Sequence, residues 1–204
     1  MDHAQHNKIV SFIWGIADDV LRDVFVRGKY RDVILPMTVI RRLDVLLEPT
    51  AEEVLNTKKL LDENEVNEQA GALAAAAGHP FYNTSQFTLK SLLNTSKRQQ
   101  LMANFVDYLD GFSTNVQEIL DKFKFRNQLT TLEEADALYS LIEKFVDKDI
   151  NLSPNPVLDG DDNEKLPGLD NHAMGTVFEH LIRKINEEHN EEAGEHWTPR
   201  DVVT

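Results

Sequence analysis

The side chains with which this chain could do chemistry lie in an acidic run, among seven histidines, and in a short arginine-rich stretch. In Asp159-Gly160-Asp161-Asp162-Asn163-Glu164, the residues Asp159, Asp161 and Asn163 stand at the first three oxygen-ligand positions of a helix–loop–helix calcium site. Such a site needs glycine at its sixth position and a bidentate glutamate at its twelfth, and here those are Glu164 and Asp170. The run therefore reads as a solvated loop. His180, His189 and His196 lack the i, i+4 pairing and neighbouring cysteines of zinc sites, and Glu179 beside His180 makes no zinc-protease signature. No metal ligand is assigned. A glycine-rich phosphate loop and a serine held between the glycines of a hydrolase turn are both missing, so no catalytic residue is assigned either.

The basic stretch is the remaining candidate. Arg22, Arg27, Lys29, Arg31, Arg41 and Arg42 are opposed there only by Asp23 and Asp32. They could contact phosphate, or they could simply solubilise two helices. Arg41 and Arg42 sit side by side after an apolar face, so at least one should point outward. Phe12, Trp14 and Phe25 are spaced as core rather than as a base-stacking platform.

Composition sets limits on both readings. The chain has 204 residues, 41% hydrophobic and 27% charged, enough for one good-sized core or two small ones. It has no cysteine, which excludes disulfides, thiolate metal sites and cysteine nucleophiles. The N-terminus lacks the basic and apolar regions of a signal peptide, and no apolar run approaches transmembrane length, so a cytoplasmic protein without membrane contact is expected. A formal net charge of -14 argues against the bulk of the chain lying on nucleic acid, because phosphate contacts need Lys and Arg.

The elements that must position these groups read as helices throughout. Ile9, Phe12, Ile13, Ile16, Val20 and Val24 recur at spacings of three and four and predict a first helix stopping near Gly28. Val33, Ile34, Met37, Ile40, Leu43 and Leu47 predict a second, stopping before Pro49, with Pro36 in its first turn or kinking it. Thr50 to Ala77 predicts two helices, the second ended by Gly78, followed by a rigid loop at His79-Pro80-Phe81-Tyr82-Asn83. Shorter helices are expected at Leu89 to Leu93, Lys97 to Leu109 and Val116 to Phe123. Thr131 and Glu134 form a capping-box pattern for a helix through Leu138, Leu141, Ile142 and Phe145. Residues 151–168, rich in Pro, Gly and Asp, read as an exposed loop or linker. Asp170 then caps a helix carrying Met174, Val177, Phe178, Leu181 and Ile185, and Glu187 to Glu195 is a charged connection. No run demands a strand. The expectation is an all-α, multi-helix bundle over residues 1–168, followed at 169–204 by a connecting helix and the start of a second domain.

That last expectation rests on Gly194-Glu195-His196-Trp197-Thr198-Pro199-Arg200-Asp201, where Thr198 is a good N-cap, Pro199 suits the first helical position and Asp201 sits in the first turn. The chain reads as a fragment cut one turn into a helix.

Two passages carry a family resemblance. Ile13-Trp14-Gly15-Ile16-Ala17-Asp18-Asp19-Val20-Leu21-Arg22, with Tyr30-Arg31-Asp32-Val33-Ile34-Leu35-Pro36-Met37 and Ile40-Arg41-Arg42-Leu43, resembles the opening of the modification (methyltransferase) subunit of type I restriction-modification systems. Met174-Gly175-Thr176-Val177-Phe178-Glu179-His180-Leu181-Ile182 and Gly194 to Val203 resemble that family's junction between a helical N-terminal domain and an α/β methyltransferase domain. In the family the glycine, aromatic, Thr-Pro segment lies against the methionine part of S-adenosylmethionine. Carried over, the cofactor-binding positions are Gly194, Trp197, Thr198 and Pro199, with His196-Trp197 replacing the more usual Phe-Tyr pair. A capped helix N-terminus also suits the cofactor's carboxylate.

The resemblance implies that the full-length subunit is a site-specific DNA adenine-N6 methyltransferase. Its Asp-Pro-x-x-Gly-Ser-Gly cofactor loop and Asn-Pro-Pro-aromatic motif for the flipped base occur nowhere in this chain. The chain alone is therefore expected to be catalytically silent and to bind no cofactor. The implied role is to help clamp DNA, with Arg27, Lys29, Arg31, Arg41 and Arg42 as backbone contacts, and to meet the specificity subunit, the second modification subunit and the restriction subunit. The rival expectation is a helical protein-interaction module unrelated to DNA.

Overall fold

The computed structural model describes residues 3–95 and 97–195. The described chain is all-α, apart from one small hairpin. Helix α1 (His3–Ile16) buries Val10, Ile13, Trp14 and Ile16, and a π-helical turn over Ala17–Leu21 continues it. It ends earlier than Gly28 because Arg22 turns extended and Asp23 takes a left-handed conformation (φ 68°), one that Asp tolerates better than most residues.

Helix α2 (Arg31–Leu47) is enclosed by the rest of the fold. Val33, Ile34, Met37, Thr38 and Ile40 are all fully buried, so its apolar surface wraps round the helix instead of forming one stripe. Pro36 lies in the second turn, not the first. The buried Thr38 hydroxyl donates to the Ile34 carbonyl at 2.7 Å.

Helices α3 (Ala51–Glu63) and α4 (Ala70–Ala77) form the expected pair. Gly78, at φ 72°, ends α4 with its N–H on the Ala74 carbonyl. The three short helices follow as α5 (Leu89–Thr95), α6 (Arg98–Asp110) and α7 (Thr114–Lys122). A reciprocal cap starts α5, with the Thr88 N–H donating to Ser91 Oγ and the Ser91 N–H to Thr88 Oγ1. The Thr131–Glu134 box does not form. Both residues sit inside a short helix α8 (Leu129–Glu134), Asp136 reverses the chain at φ 54°, and α9 (Leu138–Phe145) starts afresh to bury Leu138, Leu141, Ile142 and Phe145.

Within 151–168, β1 (Val157–Leu158) and β2 (Glu164–Leu166) pair antiparallel. The feet of this hairpin are anchored. The buried Asn151 amide donates to the carbonyls of Asn155 and Pro167, and the Leu169 N–H donates to the Ser153 carbonyl. Asp170 caps α10 (Asn171–Glu195) through the Ala173 N–H at 2.7 Å, as its sequence position predicts. Backbone 187–195, expected to be a connection, stays helical. Helix α10 lies along α1, burying Val177, Leu181 and Ile185 in the common core and placing the Lys184 ammonium 5.6 Å from the Trp14 ring centroid. Trp14 is core, as its spacing predicts, and Phe12 and Phe25 pack against it half-buried.

Candidate functional site

The basic stretch divides between surface and interior. Arg22, Arg27 and Arg31 are exposed around the turn between α1 and α2. A 3-10 turn at Arg27–Lys29 carries two of the side chains outward, the Arg27 side chain 52% exposed and that of Lys29 59%. Each has a loose carboxylate neighbour, Glu188 of α10 at 3.6 Å from Arg27 and Asp32 at 3.7 Å from Lys29. Exposed pairs at such distances contribute little and exchange readily for another anion.

Arg41 and Arg42 correct the sequence expectation. Neither lies on the surface, because α2 is covered at the turn where they stand. Arg41 donates to the Asp44 carboxylate at 2.7 Å, and Asp44 also accepts from the Tyr108 hydroxyl at 2.9 Å and the Leu89 N–H at 3.1 Å. One carboxylate thereby ties α2 to the start of α5 and to α6. Burial pushes the Asp44 carboxyl up, against the pull of Arg41 and the Leu89 N–H. Tyr108 is pushed well above its usual range by burial and by the adjacent Asp44.

Arg42 crosses the fold instead. Its Nη1 donates to the carbonyls of Leu152 (2.7 Å) and Leu169 (2.8 Å), and its Nη2 to Asn171 Oδ1 (3.2 Å). Burial lowers its pKa, and Asp170 works against that. In this arrangement a buried cation is solvated by carbonyl oxygens rather than by a carboxylate. Both guanidinium groups are buried and bonded to groups within the protein, so neither stands on the exposed surface with Arg27, Lys29 and Arg31.

Asp159 Oδ1 accepts from the N–H groups of Asp161 and Asn163, which pulls its carboxyl below the usual range and makes it the brace of the hairpin turn. His180 meets the rings of His3 and His6 edge-on, at centroid distances of 5.6 and 6.1 Å. Among the described residues no three His, Cys, Asp or Glu side chains are grouped to hold a metal ion. Gly194 lies in the last turn of α10, while Trp197, Thr198 and Pro199, with the cap expected there, lie outside the described residues. Sequence reasoning missed Asp44, Tyr108 and Asn151. Asp44 alone gave a signal, standing three residues after Arg41.

Comparison with protein families gives a match over most of the chain. The HsdM N-terminal domain family matches residues 9–145, which run from α1 through α9. The chain belongs to this family. Its all-α architecture agrees with that membership, which places it among the modification subunits of type I restriction-modification systems. No curated protein and no solved structure matches the chain. Within this HsdM N-terminal domain, the buried Asp44 network lies inside the matched region, whereas Arg42 reaches from α2 to the hairpin feet and the start of α10, which lie beyond it. No helix among the described residues is long and apolar enough to cross a membrane.

Proposed function

We propose that this domain is the DNA-clamping and subunit-contacting part of a type I adenine-N6 methyltransferase, and that it carries no catalytic group itself. Family membership is the observation that carries the reading. The absence of both methyltransferase motifs from the sequence supports a division of labour in which S-adenosylmethionine and the flipped adenine belong to a following domain. Gly194, Trp197, Thr198 and Pro199 would then form one edge of the cofactor pocket. The DNA-facing set is narrowed to Arg27, Lys29 and Arg31, joined by Arg22, because these are the exposed cations of the stretch. Phosphate would displace Glu188 and Asp32 from their loose pairs. Specificity, second modification and restriction subunits would meet the acidic remainder of the surface.

The test uses the assembled enzyme and several unrelated duplexes. Reversing Arg27, Lys29 and Arg31 to Glu should weaken all of them about equally, since backbone contacts carry no sequence information. Unchanged affinity, or a loss confined to one sequence, would contradict the reading. Methyl transfer from S-adenosylmethionine to DNA should be found with the assembly and not with this chain alone.

A further inference from the structure

A concave surface of the domain lies away from the basic stretch. A groove of about 760 Å3 runs between the first half of α1 and the hairpin feet, floored by Ile9, Phe12, Ile150, Leu166 and Pro167. That volume lies within the range of binding clefts. Leu166 pairs across the hairpin with Val157, so both side chains stand on the same face, and Val157, still 39% exposed, extends the apolar floor past the groove's edge.

The wall is built rather than loose. Asn151 bridges the two feet through the Asn155 and Pro167 carbonyls, and Arg42 holds Leu152 and Leu169 from below. Two cations are among the lining residues, Lys8 from α1 and Lys165 from β2, both exposed and neither in an ion pair with a described residue. Asp149 is the one anion among the lining residues.

We infer that this groove receives an apolar segment of a partner polypeptide that carries carboxylates on its flanks. The apolar floor sets the segment's central face, and Lys8 and Lys165 meet acids on either side of it. A polypeptide fits better than a small ligand because the apolar surface continues out of the groove along β1 instead of closing round an enclosed volume. A second copy of this chain is a poorer occupant, since two chains of charge -14 repel one another. The groove is lined by none of Arg22, Arg27, Lys29 or Arg31, the cations assigned to DNA.

The probes are two fluorescein-labelled sixteen-residue helical peptides with leucine at i, i+3, i+4 and i+7, one with glutamate on its flanks and its twin with lysine. Fluorescence anisotropy with the whole chain should show the glutamate peptide binding and the lysine peptide binding at least tenfold more weakly. The double variant Lys8→Glu/Lys165→Glu, altered only at exposed positions, should reverse that preference. Leu166→Glu should abolish binding of both peptides with the helical circular dichroism unchanged. Binding of neither peptide, or glutamate-peptide binding indifferent to the lysine reversals, would overturn the inference. So would lysine-dependent binding of anilinonaphthalene sulfonate without any peptide binding, which would give the groove to a small amphipathic anion.

Discussion

Replacing Arg42 with methionine keeps most of the aliphatic stem but removes the guanidinium from three oxygen acceptors, those of Leu152, Leu169 and Asn171. Hydrogen bonds from a charged donor contribute about 1.5–3 kcal/mol each, but desolvating the charge costs several kcal/mol, so most of that gain is already offset in the wild-type chain. What decides the magnitude is the state left behind. The two carbonyls lose their donor, at about 1–3 kcal/mol each where water does not replace it. A net destabilisation of about 3 kcal/mol follows, which for a chain of this size lowers Tm by about 6–12 °C. Urea unfolding measures the total. Hydrogen exchange locates it: the Leu169 N–H, bonded to the Ser153 carbonyl, should lose protection first, while α6 and α9 keep theirs. Arg42→Lys should fall between, since one ammonium cannot reproduce the planar fork that reaches both carbonyls. A loss below about 1 kcal/mol, or unchanged protection at Leu169, would refute the view that Arg42 pins the hairpin feet to α2.

The Asp44 carboxyl, raised by burial, makes a pH-dependent contribution whose sign can be stated. A raised folded-state pKa gives stability that is full below the ordinary aspartate value and is lost as pH rises through the folded value. Urea midpoints between pH 3 and 7 should therefore show the wild type losing ground to Asp44→Asn as pH rises, and a pH-independent difference would count against it. Gly168→Ala should destabilise by about 1–3 kcal/mol, because an added Cβ would collide with the Pro154 carbonyl and approach the Asn155 backbone, while Gly160→Ala at the open turn should be near neutral. Thermal melts of the two variants test the contrast. Gly15→Ala in α1, where a Cβ meets nothing within 4 Å, should raise stability by about 0.5–1 kcal/mol.

Helices with one buried stripe were legible from spacing, as α1, α9 and the start of α10 show. Helix α2 was legible as a helix but not as an enclosed one, because a period of three and four assumes a solvent side; Arg41 and Arg42 fall on that assumed side, and both are inside. What saves them is tertiary, with Asp44 close in sequence but Leu152 and Leu169 more than a hundred residues away. The Thr131–Glu134 pattern misled because Phe125, Leu129 and Leu132 bury an earlier start, and tertiary packing outweighs a cap of about 1 kcal/mol. Strands of two and three residues give no readable alternation. The groove was illegible for the same reason, since it joins residues 5–12 to residues 149–167 through a hairpin held by the Asn151 amide and the Arg42 guanidinium.

The division of the basic stretch into an exposed and a buried half bears most directly on function. It predicts that, within this stretch, only the exposed cations contribute to DNA affinity. Removing a single cation from the phosphate backbone should reduce the slope of log affinity against log salt by about 0.9. The decisive measurement is that slope for the assembled enzyme on duplex DNA, with wild type compared against Arg27→Glu/Lys29→Glu/Arg31→Glu. A slope reduced by about 2–3 is the predicted result, and a slope identical to wild type would contradict the clamp.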